Sequence, residues 1–154
     1  MDSRTISFRN AVENDLELIV QMLADDDLGA TRERFEIPLP DSYRAAFQSI
    51  DNDPNIELIV AYDDDGVIGV MQVTFTPHLT YQGGWRATIE GVRTHSNHRG
   101  QGVGTRLIRE AIERARKRGC HMVQLTTNKG RVDALRFYEH LGFVASHEGL
   151  KLNL

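Results

Sequence analysis

The chain predicts a mixed α/β domain, and three observations carry that expectation. Short runs rich in β-branched residues alternate with longer stretches in which apolar residues recur every three or four positions. A run of strand character ending at Thr94 leads through Gly100, Gly102 and Gly104 straight into an amphipathic helix pattern. The 154 residues, 40% of them hydrophobic, suffice for one core and show no linker, repeat or low-complexity segment. The expected order is β-α-α-β-β-β-α-β-α-β-β, with residues 1–154 forming a single domain.

Ile6 to Ala11 alternates apolar and polar, as a half-buried strand does. Asn14 can cap the helix that follows, with Glu17 as its reciprocal partner, and Leu16, Ile19, Val20 and Leu23 line one face. From Asp25 to Pro40 the pattern breaks, a long excursion of the kind that often forms a binding loop. Tyr43, Ala46, Phe47 and Ile50 then mark the inner face of a second helix. Glu57 to Tyr62 and Val67 to Thr76 are strands joined by a hairpin turn at Asp64-Asp65-Gly66. After a loop from Pro77 to Gly84, Trp85 opens the strand that reaches Thr94.

The next helix places Leu107, Ile108, Ala111, Ile112 and Ala115 on one face, pairs Glu110 with Arg114 and Glu113 with Lys117, and ends at Gly119. His121 to Thr127 is a strand. A turn at Asn128-Lys-Gly130 leads to a short helix carrying Ala134, Phe137, Tyr138 and Leu141, stopped by Gly142. Two closing strands are expected at Phe143–Ser146 and Leu150–Leu154, with Leu150, Leu152 and Leu154 on one face of the last.

Composition narrows the function. A net charge of −4 argues against nucleic acid as a partner, and no apolar run is long enough to cross a bilayer. The first residues lack the layout of a secretory signal, and the lone Cys120 fits a reducing cytoplasm. Acidic runs at Asp25–Asp27 and Asp63–Asp65 contrast with the basic stretch from Arg106 to Arg118. They read as solvated faces and turns, or as a field drawing a cationic amine to one side and an anionic cofactor to the other.

The glycine-rich run makes an anion site. Its backbone N–H groups are uncovered by side chains, and the following helix adds unpaired donors and a partial positive charge. Arg99 supplies a guanidinium fork suited to phosphate oxygens. A P-loop would need Gly-Lys-Ser/Thr where Gly104-Thr105-Arg106 stands, and the dinucleotide fingerprint fails on spacing at Leu107.

Arg99-Gly100-Gln101-Gly102-Val103-Gly104, preceded by a strand carrying Ile89-Glu90, resembles the acetyl-CoA pyrophosphate loop of the GNAT superfamily of N-acetyltransferases. One strand and one helix later, Asn128 with Ala134, Tyr138, Gly142 and Phe143 resembles the family's second motif. The resemblance implies the GNAT acyl-CoA N-acyltransferase fold and direct attack of a neutral amine on an acetyl thioester. It implies that Val92, Arg93 and Thr94 expose backbone groups to pantetheine, beside a bulge for which Gly91 is suited. It also implies that the amides of Gly100, Gln101, Gly102, Val103, Gly104 and Thr105 hold the pyrophosphate, with Asn128 as the strand-end contact. Arg131 stands where the family commonly has asparagine against pantetheine, and an arginine there can reach a phosphate instead.

Two residues are candidates for catalysis. Glu90, placed on one strand face with Thr88, Val92 and Thr94, is either a base for the attacking ammonium or only its binding partner. The family elsewhere uses an acid in the strand after the helix, where this chain has Thr126 and Thr127. Tyr138 stands where the family places a phenol that protonates the departing thiolate. His95 and His98 have a spacing a metal could use but lack a third ligand in the sequence nearby, so no metal is expected.

The expected activity is acetyl-CoA-dependent N-acetyl transfer to a primary amine of a small molecule. The alternatives are a protein lysine or N-terminal acetyltransferase, and a non-catalytic module that holds acyl-CoA. Acceptor choice is expected to lie in Gly29 to Tyr43, with Arg32, Arg34 and Glu36. A homodimer through the C-terminal apolar face is a further expectation.

Overall fold

A computed structural model of the chain describes residues 4–154. Five strands form one sheet in the order β1-β2-β3-β4-β5: Ser7–Asn10, Ile56–Asp63, Gly66–Pro77, Trp85–Thr94 and Met122–Leu125. Neighbours are antiparallel except β4 and β5, which run parallel and are joined across the sheet by a helix. The helices are α1 (Leu16–Ala24), α2 (Gly29–Arg32), α3 (Asp41–Asn52), α4 (Thr80–Gly83), α5 (Val103–Lys117) and α6 (Val132–His140). The short α4 is left-handed at Tyr81 and Gln82, a tight turn within the expected loop.

The sheet is covered on both faces. Met71, Val73 and Phe75 of β3, with Ala87 and Ile89 of β4, pack against Leu107, Ile108 and Ala111 of α5, all at 2% exposure or less. Val60 and Val70 point the other way, into Ile19 and Val20 of α1 and Phe47 of α3. β2 and β3 are therefore buried on both sides, which is why their sequences read as near-continuous apolar runs. Gly69 lets α5 lie close, since a Cβ there would stand 3.0 Å from both Leu107 Cδ1 and Val103 Cγ1.

Four expectations fail. Asn14 is not the cap of α1. The chain enters that helix through a 3-10 turn at Glu13–Asp15, and the Asp15 carboxylate accepts the Val12 amide at 2.8 Å while also pairing with Arg9 at 2.7 Å. Ala46 is exposed rather than on the buried face of α3. On α5, Glu113 pairs with Arg116 instead of Lys117, while the expected Glu110–Arg114 pair forms at 2.8 Å. The last two strands are absent: 143–146 and 150–154 pair with no strand among the described residues, and Leu150 and Leu152 are 94% and 86% exposed. Their alternating pattern is real, but within one chain nothing covers its apolar side. β5 is the sheet's edge, its four residues only half-buried, and α6 has no buried residue.

Gly119 and Gly142 end their helices as expected, each with positive φ. The amide after Gly119 reaches back from Cys120 to Ala115 O at 2.9 Å, satisfying one of the open carbonyls at the helix end.

Candidate active site

The site begins with a break in pairing. β4 pairs with β5 only from Arg86 to Ile89, against Met122 to Leu125, so Glu90 to Thr94 have no partner on that side. On the other side the register with β3 slips between Val70 and Gln72, and Gly91 takes φ +62°. Only glycine adopts that conformation without strain, so Gly91 is the bulge that the sequence suggested.

The bulge changes which residues share a face. Glu90 lies opposite Gln72 and Arg93 opposite Val70, whereas Thr94 lies opposite Gly69 and Val92 packs with the α5 core. Glu90 is thus on the α1 side with Arg93, and the expected grouping with Val92 and Thr94 is overturned. Simple alternation missed this because one extra residue inverts the parity of everything beyond it. Glu90 is exposed, and Val92, Arg93 and Thr94 are half-buried.

Beyond the strand, the glycine loop forms the end of α5. Gly100 and Gly102 have φ of +76° and +81°, and a Cβ on either would project into open space. Helical bonding begins with the Arg106 amide on Gly102 O at 3.1 Å, leaving the amides before it directed out of the helix end. The first turn carries no acidic side chain. A small-residue cradle of free donors at the positive end of a 15-residue helix suits a pyrophosphate. Gly104 serves a different purpose, as the contact of α6 with α5: a Cβ there would sit 3.4 Å from the Phe137 ring.

Two arginines expected near the cofactor are engaged elsewhere. Arg99 donates to Asp25 O at 2.8 Å and to its carboxylate at 3.3 Å. Arg131, at the start of α6, donates to Asp26 Oδ2 at 2.8 Å, and the same oxygen lies 3.4 Å from Arg93 Nε. Asn128 folds its own turn, its Oδ1 accepting the Gly130 amide at 2.8 Å, and Gln101 reaches Asn97 O at 3.4 Å.

Tyr138 completes the wall. Its ring meets Phe137 and Phe143 edge-on, with centroids 5.0 and 5.9 Å away. Burial pushes its hydroxyl above the usual tyrosine value, although Arg93 and Arg131 pull the other way, so it keeps its proton at neutral pH. A buried phenol that stays protonated can donate to a leaving anion.

Asp26 is the residue the sequence did not single out, because it reads as one of three turn aspartates. Its Oδ1 accepts the Gly29 amide, and a Cβ on Gly29 would overlap Leu23 O at 1.9 Å. Burial alone would raise the Asp26 carboxyl, but the Gly29 amide, Arg131 and Arg93 together hold it below the ordinary range. The spacing of Asp26 and Gly29 was the available signal, since aspartate commonly bonds a backbone amide just ahead of it.

His98 has neighbours its sequence spacing did not reveal. Its Nε2 lies 3.9 Å from both Asp63 and Asp65, but the Arg4 guanidinium is 3.5 and 3.3 Å from the same two carboxylates and already supplies their counter-charge.

Residues 20–143 match the family model described as Acetyltransferase (GNAT) family. This chain belongs to that family. It is accordingly an N-acetyltransferase, and GNAT enzymes use acetyl-CoA as the acetyl donor. A curated relative, aminoalkylphosphonate N-acetyltransferase of Salmonella typhimurium, is 32% identical over 106 residues, 69% of this chain and 68% of the relative. Glucosamine 6-phosphate N-acetyltransferase of Trypanosoma brucei brucei is 33% identical over 88 residues, 57% of this chain and 58% of the relative. A solved structure described as a transcriptional regulator from Bacillus halodurans C-125 superposes with a TM-score of 0.95 at 63% identity, covering 97% of this chain and 100% of that one. Among the described residues no helix is long and apolar enough to cross a membrane.

Proposed function

We propose that this GNAT protein transfers an acetyl group from acetyl-CoA to the primary amine of a small molecule, by direct attack and without a metal. The observation that carries this reading is the parting of β4 from β5 with the free amides of the Gly100–Thr105 loop at one end and the Tyr138 hydroxyl at the other. Val92 to Thr94 border the gap where β5 no longer pairs with β4, although Val92 O already accepts the Arg93 guanidinium at 2.9 Å. Asn128 and Arg131 lie in the turn that leads from β5 to α6. Acetyl-CoA supplies the activated thioester. The chain's own part is to align it, hold a polarising N–H near the bulge, and deliver a proton from the Tyr138 oxygen to the thiolate. Glu90, exposed at the bulge, either takes the proton of the incoming ammonium or holds it.

A small acceptor is supported by the named substrates of the two curated relatives. The reading places the enzyme in the cytoplasm, supported by its single cysteine. It also makes the enzyme a homodimer, supported by the uncovered leucines of 150–154 and by the unpaired outer edge of β5.

A panel of amines incubated with acetyl-CoA, followed by free-thiol release, tests the activity. Gly102→Glu should abolish acetyl-CoA binding in calorimetry by putting a like charge in the cradle, and wild-type affinity in that variant would refute the loop assignment. Intact acetyl-CoA binding with no thiol release from any amine would instead return the alternative of a non-catalytic acyl-CoA module.

A further inference from the structure

Arg32 of α2, Arg93 of β4 and Arg131, the residue just before α6, share one electrostatic neighbourhood centred on Arg93, and Arg93 and Arg131 also act on the Tyr138 hydroxyl. Two carboxylates answer them, and both are already in use. Asp26 gives Oδ1 to the Gly29 amide, while its Oδ2 is divided between Arg131 at 2.8 Å and Arg93 at 3.4 Å. Glu33 stands 3.8 Å from Arg32 Nε and accepts the Tyr43 hydroxyl at 3.1 Å.

Arg93 is the decisive member. Its side chain is 15% exposed; its Nη1 donates to Val92 O at 2.9 Å, while its Nε makes no hydrogen bond and meets only the shared Asp26 Oδ2 at 3.4 Å. Burial, with Arg131 and Arg32 close by, pushes its guanidinium below the ordinary value, against the pull of Asp26. One carboxylate oxygen divided between two arginines, with a third close by, leaves a surplus of positive charge at a half-buried place, which an anion reaching the more exposed Arg131 and Arg32 relieves. Guanidinium forks are suited to oxyanions, which they grip with paired N–H groups.

We propose that these arginines form a subsite for an oxyanion carried by the acceptor, so that the amine acetylated bears a phosphonate, phosphate or carboxylate a few bonds from its nitrogen. The subsite lies beside Tyr138, the acetyl end of the site, on the α1 side of β4 that also carries Glu90. An acceptor anchored there by its anion presents its amine to the acidic side chain, so that both ends of the molecule are recognised. This rests on the acetyl-transfer reading for the placement of the acetyl end, while the binding of the anion does not.

The test compares 3-aminopropylphosphonate and β-alanine with n-propylamine in the thiol-release assay, and separately titrates methylphosphonate into protein saturated with CoA. We expect the anionic amines to exceed propylamine in kcat/KM by about ten- to a hundredfold, the worth of a charge-assisted hydrogen bond. Arg32→Gln should erase most of that gap through KM, leaving acetyl-CoA affinity unchanged. Arg93→Gln, checked for folding by its thermal melt, should lose the methylphosphonate heat. Equal kcat/KM for charged and neutral amines, or no methylphosphonate heat, overturns the proposal. So does a loss of acetyl-CoA affinity in Arg32→Gln, or methylphosphonate binding only in the absence of CoA, since the arginines would then serve the cofactor's phosphates. If no amine turns over while methylphosphonate still binds the CoA complex, the subsite stands and the acetyl-transfer reading falls.

Discussion

Tyr138 and Glu90 make opposite demands on a mutational test. Tyr138→Phe keeps the ring packed between Phe137 and Phe143, so acetyl-CoA affinity should hold while turnover falls by about 10²–10⁴-fold, the usual worth of a general acid. With the phenol held above the usual tyrosine value of about 10, activity lost to its ionisation should set in only above that pH. Glu90→Gln separates two roles. A lost base lowers kcat at neutral pH and is partly rescued at higher pH, whereas a lost anchor raises the amine KM with kcat little changed. Wild-type rates from both variants would remove the catalytic assignment. Asp15 bears on stability instead. Burial would raise its carboxyl, but the Arg9 hydrogen bonds and the Val12 amide outweigh it and hold it low. A lowered carboxyl contributes stability that is present above its unfolded value and is lost as pH falls from about 4 through the folded value. Asp15→Asn should therefore lower the melting temperature at pH 7 and flatten its decline below pH 4, and an unchanged acid limb would discount the pair.

Elements were legible where periodicity was strong and their partners lay within the chain. The buried face of α5 and its glycine-rich entry could be read from the sequence, because 3.6-residue spacing and a cluster of glycines before it are strong signals; the partners of Glu113 and Arg99 and the packing role of Gly104 could not. Arg93 could not. Its side chain faces Asp26 only because Gly91 inserts a bulge, and parity beyond a bulge is invisible without the register. Asp26 was hidden for a second reason, since its partners on β4 and just before α6 are far away in sequence. The closeness of α5 to the sheet also depends on one residue. Gly69→Ala would force a methyl group to 3.0 Å from Val103 and Leu107 at the start of that helix. Overpacking of this kind costs about 1–3 kcal/mol, or roughly 4–8 °C for a 2 kcal/mol loss in a domain of this size. Because the displaced turn is the amide cradle, acetyl-CoA affinity should fall with it. A melt lowered with affinity intact would mean that the cradle moves independently of the sheet.

At the scale of the whole molecule, the sheet is fully packed from β2 to β4 and thin at β5, where its last strand and the helix beyond it are only half-covered. The two closing strands were misread for a physical reason: alternation in Leu150, Leu152 and Leu154 reports that one side of the segment wants cover, but not whose surface provides it. If a second copy provides it, thermal resistance ceases to be a property of the polypeptide and becomes partly a matter of mass action. Folded dimer melting to separate chains should gain about 2 °C in melting temperature per tenfold rise in concentration, and removal of residues 150–154 should abolish the dependence. A melting temperature indifferent to dilution would leave the leucines without a partner. Otherwise the abundance of this enzyme in the cell would help to determine how well each copy survives heat, with scarcity itself acting as a denaturant.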